Sequence, residues 1–260
     1  MRVRAFVCLP PVQNVLASCL FWSLCAVSAL AQGSPPFYTD DAGTVGKERW
    51  ELDLGISTVH DRDGDCIWQA PSVGLGYGLT DTVEIDYGVP LLIVHPSGQR
   101  TKSGLGNSIA GVKWRFFEDN TAKLAVSVNP QVEFNNPTSS RRHGLVENTE
   151  FVLPLQVQKS FGEIETAFNV GRTFYLRESD ETDGWSAGMA VGRKFTERLQ
   201  VGAEVYGETA QKFDRGFLLV DLGALYELDE SISFSALIGR GIAGADRPDF
   251  VAFVGVQLSR

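Results

Sequence analysis

The chain has 260 residues, 43% of them hydrophobic and 21% charged, and a net charge of −9. That acidic balance argues against a nucleic-acid binder and against a polybasic protein that docks on lipid surfaces. After the first 31 residues no run of 18 consecutive apolar positions occurs, so nothing there can cross a bilayer as a helix.

The first element is an export signal. Arg2 and Arg4 form a positive start, Val15 to Leu30 is mostly apolar, and Ala29-Leu30-Ala31 puts small residues where signal peptidase cuts. Residues 1–31 therefore read as a signal peptide for the Sec pathway, 32–45 as a short periplasmic leader, and 46–260 as the folded domain. Leu16-Ala17-Ser18-Cys19 resembles a lipobox, but the most apolar part of the segment follows Cys19, where a lipoprotein signal has already ended. Cleavage removes Cys8, Cys19 and Cys25, leaves Cys66 without a partner for an intramolecular disulfide, and takes the net charge to −11 through loss of the two arginines.

From Trp50 onward the pattern has period two. Trp50, Leu52, Leu54 and Ile56 alternate with Glu51, Asp53, Gly55 and Ser57; Val83, Ile85, Tyr87 and Val89 alternate with Glu84, Asp86 and Gly88. Alternation with one apolar face marks β-strands. Twelve runs follow in order: 47–59, 67–79, 82–94, 105–117, 122–134, 149–159, 163–175, 185–195, 198–208, 217–227, 230–240 and 250–259. At about 10–13 residues each they are long enough to cross a bilayer at a tilt.

Connections alternate in length as well. Leu79-Thr80-Asp81, Thr196-Glu197 and Leu228-Asp229-Glu230 are short, whereas 95–104, 135–148 and 241–249 are long and polar. Sorting by parity is expected of an up-and-down barrel with short periplasmic turns and long outer loops, and a soluble β-sandwich has no reason for it. Aromatics on the apolar parity gather at both run ends: Trp114, Phe116, Phe195 and Tyr226 near the short turns, Phe174, Trp185 and Phe250 near the long loops. Two belts suit a wall with two membrane interfaces. The expected fold is an all-β, transmembrane, antiparallel barrel of about twelve strands, with a soluble periplasmic β-protein as the alternative. Pro71, Pro90, Pro130 and Pro154 fall inside runs and call for bulges or bends, because proline cannot donate to a ladder.

On the opposite parity, Glu51, Asp53, Glu84, Asp86, Glu133, Glu165, Glu204, Glu208 and Asp221 would face the lumen, against Lys113, Arg115 and Lys194. A barrel this narrow lets such side chains reach across it. An acidic lumen with Lys113 and Arg115 as countercharges would favour cations or neutral solutes over anions; a closed, salt-bridged interior is the competing expectation.

No catalytic, cofactor or metal site is expected. His60, His95 and His143 lie in or beside outer loops, and no serine stands beside a histidine at a convincing spacing for a hydrolase acting on lipid. Asp61-Arg62-Asp63-Gly64-Asp65 alternates carboxylates, but its glycine is out of place and Ser72 stands where a calcium loop needs glutamate. Gly74-Leu75-Gly76-Tyr77-Gly78 is not a phosphate cradle, since no helix follows it.

Three stretches resemble a known family. Pro36-Phe37-Tyr38-Thr39-Asp40-Asp41-Ala42-Gly43-Thr44 with Trp50-Glu51-Leu52, then Tyr77-Gly78-Leu79-Thr80-Asp81-Thr82-Val83-Glu84, then Gly104-Leu105-Gly106-Asn107 through Trp114-Arg115-Phe116, are similar to segments of proteobacterial outer-membrane proteins assigned to the meta-pathway of phenol degradation and also labelled transporters. Asn107 stands where that pattern expects aspartate. The resemblance implies an outer-membrane barrel admitting small aromatic or apolar solutes, inserted by the barrel-assembly machinery and surrounded by outer-membrane lipid. A non-conducting structural or surface-interaction barrel is the second expectation, and a lipid-acting barrel enzyme the third.

Overall fold

The computed structural model describes residues 36–136, 149–176 and 183–260. The expected signal peptide, residues 1–31, and His143 lie outside the described residues. The strands in chain order are β1 (Trp50–His60), β2 (Cys66–Gly78), β3 (Val83–His95), β4 (Lys102–Leu105), β5 (Ser108–Asp119), β6 (Leu124–Val128), β7 (Gln131–Phe134), β8 (Glu150–Phe161), β9 (Ile164–Tyr175), β10 (Gly184–Lys194), β11 (Leu199–Ala210), β12 (Gly216–Glu227), β13 (Ile232–Gly244) and β14 (Phe250–Ser259).

Sequential strands pair antiparallel, and β14 returns to β1 over ten residue pairs from Glu51 with Ser259 to His60 with Phe250. The seam is finished by Trp50 and Arg260, each donating its N–H to the other's carbonyl at 3.0 Å. Closure removes both sheet edges, which an open sheet cannot do.

Fourteen strands make a barrel of twelve: β6 and β7 are the expected run 122–134 broken once, and β4, which lies mostly in the connection expected at 95–104, precedes β5 across a second break. Lower β3 pairs with β5 from Val83 to Gly88, and upper β3 pairs with β4 from Leu91 to Val94. The break between β4 and β5, at Gly106-Asn107, therefore lies against Pro90, whose carbonyl accepts the Gly106 N–H at 2.8 Å. Likewise β8 pairs with β7 through Val152 and with β6 from Leu155. Between them Asn129-Pro130 interrupts the strand opposite Pro154, whose carbonyl accepts the Asn129 N–H at 3.2 Å. At each break a residue without an N–H is placed where the ladder is already discontinuous. Pro71 accompanies a register shift between Gln69 and Ser72.

The barrel is polar inside and apolar outside. Leu54, Leu75, Ile85, Val112, Leu155, Phe168, Met189, Leu222, Ile238 and Val254 are exposed on its outer face. Leaving one such side chain in water forgoes roughly 1.5–3 kcal/mol, so a whole wall of them is stable only against hydrocarbon. Trp114, Phe116, Phe161 and Phe195 ring the short-turn end, and Phe174, Trp185 and Phe250 the long-loop end. Cations lie over several of these rings: Lys159 over Phe161 at 5.3 Å, and Arg172 over Trp185 at 4.6 Å.

Candidate functional site

Residues 36–45, ahead of the first strand, run along the inner wall. Their course starts at the short-turn end, where Glu48 donates its N–H to Gly78 O at 2.8 Å and Lys47 donates its own to Asp81 at 3.2 Å. The Val45 N–H then reaches Glu84 Oε2 at 2.9 Å. Next, Asp40 Oδ2 meets Lys113 Nζ at 2.7 Å, with both side chains under a tenth exposed. The same oxygen accepts Gln156 Nε2 at 2.6 Å, and Gln156 is fixed in turn by the Ser127 hydroxyl at 2.6 Å. Asn169, with its amide oxygen toward the segment, accepts the Asp40 N–H at 2.7 Å and donates to Asp40 O at 2.9 Å. The segment reaches the far wall, where Glu204 accepts the N–H groups of Tyr38 at 2.9 Å and Thr39 at 2.5 Å.

A segment without secondary structure has no internal partners for its amides, so a barrel interior can hold it only by supplying them. Here the partners come from β3, β5, β8, β9 and β11 together. Clearance comes from glycine. A Cβ at Gly188 would strike Thr39, and Cβ atoms at Gly202 and Gly223 would sit 2.9 and 2.8 Å from the Phe37 ring. Burial pushes the Tyr38 hydroxyl above its ordinary range, with the charges of Asp221, Glu204 and Glu208 adding to the effect.

Among the described residues, two cavities are lined in part by this strap and a third lies beyond it. One of about 170 Å3, toward the short-turn end, is lined by Asp40, Asp41, Glu51, Asp53, Glu84, Asp86 and Lys113. Another of about 140 Å3 lies beside Phe37, with Glu165 and Gln200 in its wall; Gln200 Nε2 donates to Glu165 at 3.3 Å. The third, about 150 Å3, is a vestibule toward the long loops, lined among others by Ile109, Glu133, Glu150, Tyr206, Glu208, Arg215, Phe217 and Asp246. Its floor meets the strap: the Tyr206 ring stacks on Tyr38 with centroids 5.0 Å apart and planes 19° from parallel.

The residues singled out by parity thus occupy different stations. Glu51, Asp53, Glu84, Asp86 and Lys113 share one cavity, and Lys113 is the cation that answers the strap. Glu133 is in the vestibule and accepts Asn107 Nδ2 at 2.8 Å. Glu204 and Asp221 stand directly opposite each other on β11 and β12, 2% and 4% exposed. Arg115 is not brought to the acidic cavity. Its guanidinium is held at the rim by Asp81 O at 2.8 Å and Glu118 at 3.4 Å. Lys194 is also at the rim, beside Glu227. His60 and His95 sit at the long-loop ends of β1 and β3, where His60 Nε2 lies 3.3 Å from Cys66 Sγ and His95 Nδ1 lies 2.7 Å from Thr101 Oγ1.

Parity did not find Tyr38, Thr39 and Asp40, nor Gln156 and Asn169 as their partners. The sequence carries two traces of them: the family-like stretch Pro36–Thr44, and the inward glycines Gly188, Gly202 and Gly223, since a lumen lined by glycine makes room for a backbone.

Fold and site define a transmembrane β-barrel whose acidic lumen is crossed by the chain's own N-terminal segment. The chain belongs to the family described as "Putative MetA-pathway of phenol degradation", which it matches over residues 33–254. Among solved structures it is similar to an outer membrane channel from Pseudomonas putida F1, at 13% identity and a TM-score of 0.66, covering 88% of this chain and 100% of that one. It is also similar to the NanC porin, at 7% identity and a TM-score of 0.59, covering 80% and 98%. At these identities the likeness is one of fold. No curated protein sequence matches the chain.

Proposed function

We propose that the protein is an outer-membrane channel for the uptake of small cationic or neutral solutes, aromatic ones among them, held shut by residues 36–45. The observation that carries this reading is the strap itself. A purely structural barrel has no use for an interior segment that can leave, whereas a channel needs an element that opens without dismantling the wall. The strap's ties to the wall are hydrogen bonds, one buried ion pair and ring contacts, all separable, and residues 46–49 lead from it into β1. The acidic cavity and vestibule support preference against anions, because a low-dielectric lumen magnifies the repulsion. Relatives in fold described as an outer membrane channel and a porin support the location and the class. On this reading residues 1–31 are removed on export through the Sec pathway, the barrel-assembly machinery inserts the domain, and Glu51, Asp53, Glu84, Asp86, Glu133, Glu165, Glu204 and Asp221 line the path.

A non-conducting barrel is the second reading, favoured by the same filled lumen. Planar-bilayer recording in a salt gradient separates the two. The full mature chain is expected to be largely closed, and a variant lacking residues 36–45 to conduct steadily with a reversal potential of cationic sign. A deletion variant that inserts and stays closed would establish the non-conducting reading, and anion preference would refute the proposed selectivity.

A further inference from the structure

The lipid-facing side of the wall, from β10 to β14, carries a shallow groove of about 790 Å3. Met189, Val205, Leu222 and Ile238, all exposed, form most of its apolar surface, and the short side chain of Ala203 leaves it recessed. Toward the long loops it ends at Phe250 of the aromatic belt and at Arg240. Arg240 shares the exposed parity of Phe234 and Ile238 on β13, so its guanidinium leaves the barrel on the lipid side. Of the acidic residues along the groove, Glu204 and Asp221 are buried on the lumen side, and Asp249 makes no ion pair with Arg240.

A charge on a lipid-facing wall needs partners, because hydrocarbon supplies none. Arg172 shows how the barrel meets that need. It shares the parity of Phe168 and Phe174 at the long-loop end of β9, reaches Asp183 at 3.2 Å and Gly184 O at 3.3 Å, and lies over the Phe174 and Trp185 rings. Arg240 stands at the same end of the barrel, yet it has no hydrogen bond, ion pair or ring contact among the described residues. Its stem can lie on the apolar wall while its head rises to the level of lipid phosphates. A phosphate offers the planar guanidinium two oxygens at once, and the groove below gives the attached acyl chain a bed.

We propose that Arg240 and the groove beneath it form a binding site for a phosphate-bearing membrane lipid, with the guanidinium on the phosphate and an acyl chain over Leu222 and Ile238. The site lies outside the lumen, so it stands whether or not the barrel conducts. The full mature chain, delipidated in detergent, is titrated by native mass spectrometry with dipalmitoyl phosphatidic acid, dipalmitoyl phosphatidylethanolamine and dipalmitoylglycerol. Phosphatidic acid is expected to bind first, one per barrel, at least tenfold more tightly than dipalmitoylglycerol and more tightly than phosphatidylethanolamine. Inorganic phosphate at equal concentration should not displace it, because the groove's share of the binding is missing. Arg240→Gln is expected to cut phosphatidic acid affinity at least fivefold while leaving dipalmitoylglycerol within twofold, and Arg172→Gln to leave both within twofold. Equal binding of the three lipids, a preference for phosphatidylethanolamine, displacement by inorganic phosphate, an equal loss in Arg172→Gln, or unchanged affinity in Arg240→Gln would each overturn the proposal. The lipid comparison on the unaltered chain decides alone if a variant fails to assemble.

Discussion

Toward the long loops the lumen has two unlike sides. Beneath β1, β3, β13 and β14 it is filled: Val59, Val94, Leu237, Val251 and Phe253 are each no more than 6% exposed, and Phe253 lies over Gly55 and Gly255. Across the barrel, under β5 and β7–β12, the same level holds the vestibule with its carboxylates and tyrosine floor. Both sides come from strands with the same alternation, yet one is a small hydrophobic core and the other a hole. A barrel of twelve strands is too wide for its wall side chains to fill everywhere. Packing one side close stabilises the barrel and confines the open route to the other, and the strap touches both, with Phe37 against the filled side and Tyr38 against Tyr206.

Variants that disturb one side and spare the other break this contrast, and the largest effect belongs to the strap. Lys113→Met leaves Asp40 buried beside an apolar chain, and loss of one partner of a buried pair costs about 3–5 kcal/mol. The strap should then be released by at least two orders of magnitude, read as open-channel current. Lys113→Met with Asp40→Asn should recover much of the closure, because no charge is left unpaired. A double variant as open as the single would show that the ion pair does not hold the strap.

On the filled side, Phe253→Ala should lower unfolding stability by about 3 kcal/mol, the cavity cost of a large aromatic, measured by urea titration in bilayers. Because Phe37 of the strap packs against that cluster, the same variant should quicken a protease cut within residues 36–45; an unchanged cut would show that the filled side does not help to hold the strap.

Gly223→Ala sharpens the picture with a smaller push. The added methyl crowds Pro36 and the Phe37 ring, and overpacking of this kind costs roughly 1–3 kcal/mol. It should appear as a faster protease cut within residues 36–45, with barrel stability held. An unchanged cut would show that Phe37 yields freely.

The smallest effect is expected outside the lumen. Arg172→Ala removes a guanidinium stacked on Phe174 and Trp185 at the outer belt and should cost about 0.5–1 kcal/mol of stability with no change in conductance. A clear change in current would tie the outer belt to the gate.

Much of the wall was legible in the sequence because its cause is local. Side chains alternate with period two, so Leu54 and Asp53 fall on opposite faces whatever else the chain does, and lipid on one side with water on the other writes that alternation into every strand. The breaks at Gly106-Asn107 and Asn129-Pro130 were half legible. Proline announced irregularity, but only the neighbouring strand showed that Pro90 and Pro154 stand opposite the gaps. Arg115 misled because parity places a Cα, whereas a long side chain near a strand end reaches for the rim.

What the sequence determined by itself is the alternation, the strand count and the face on which each carboxylate falls, since each depends on residues next to one another in the chain. What only the tertiary structure decided is who meets whom across the lumen. Tyr38 and Thr39 find Glu204 from 166 and 165 positions away, and Asp40 finds Gln156 from 116. Residues 36–45 have no period to read, because a strap without secondary structure takes its course from the amide partners and glycine clearances of a wall that exists only once the barrel has closed.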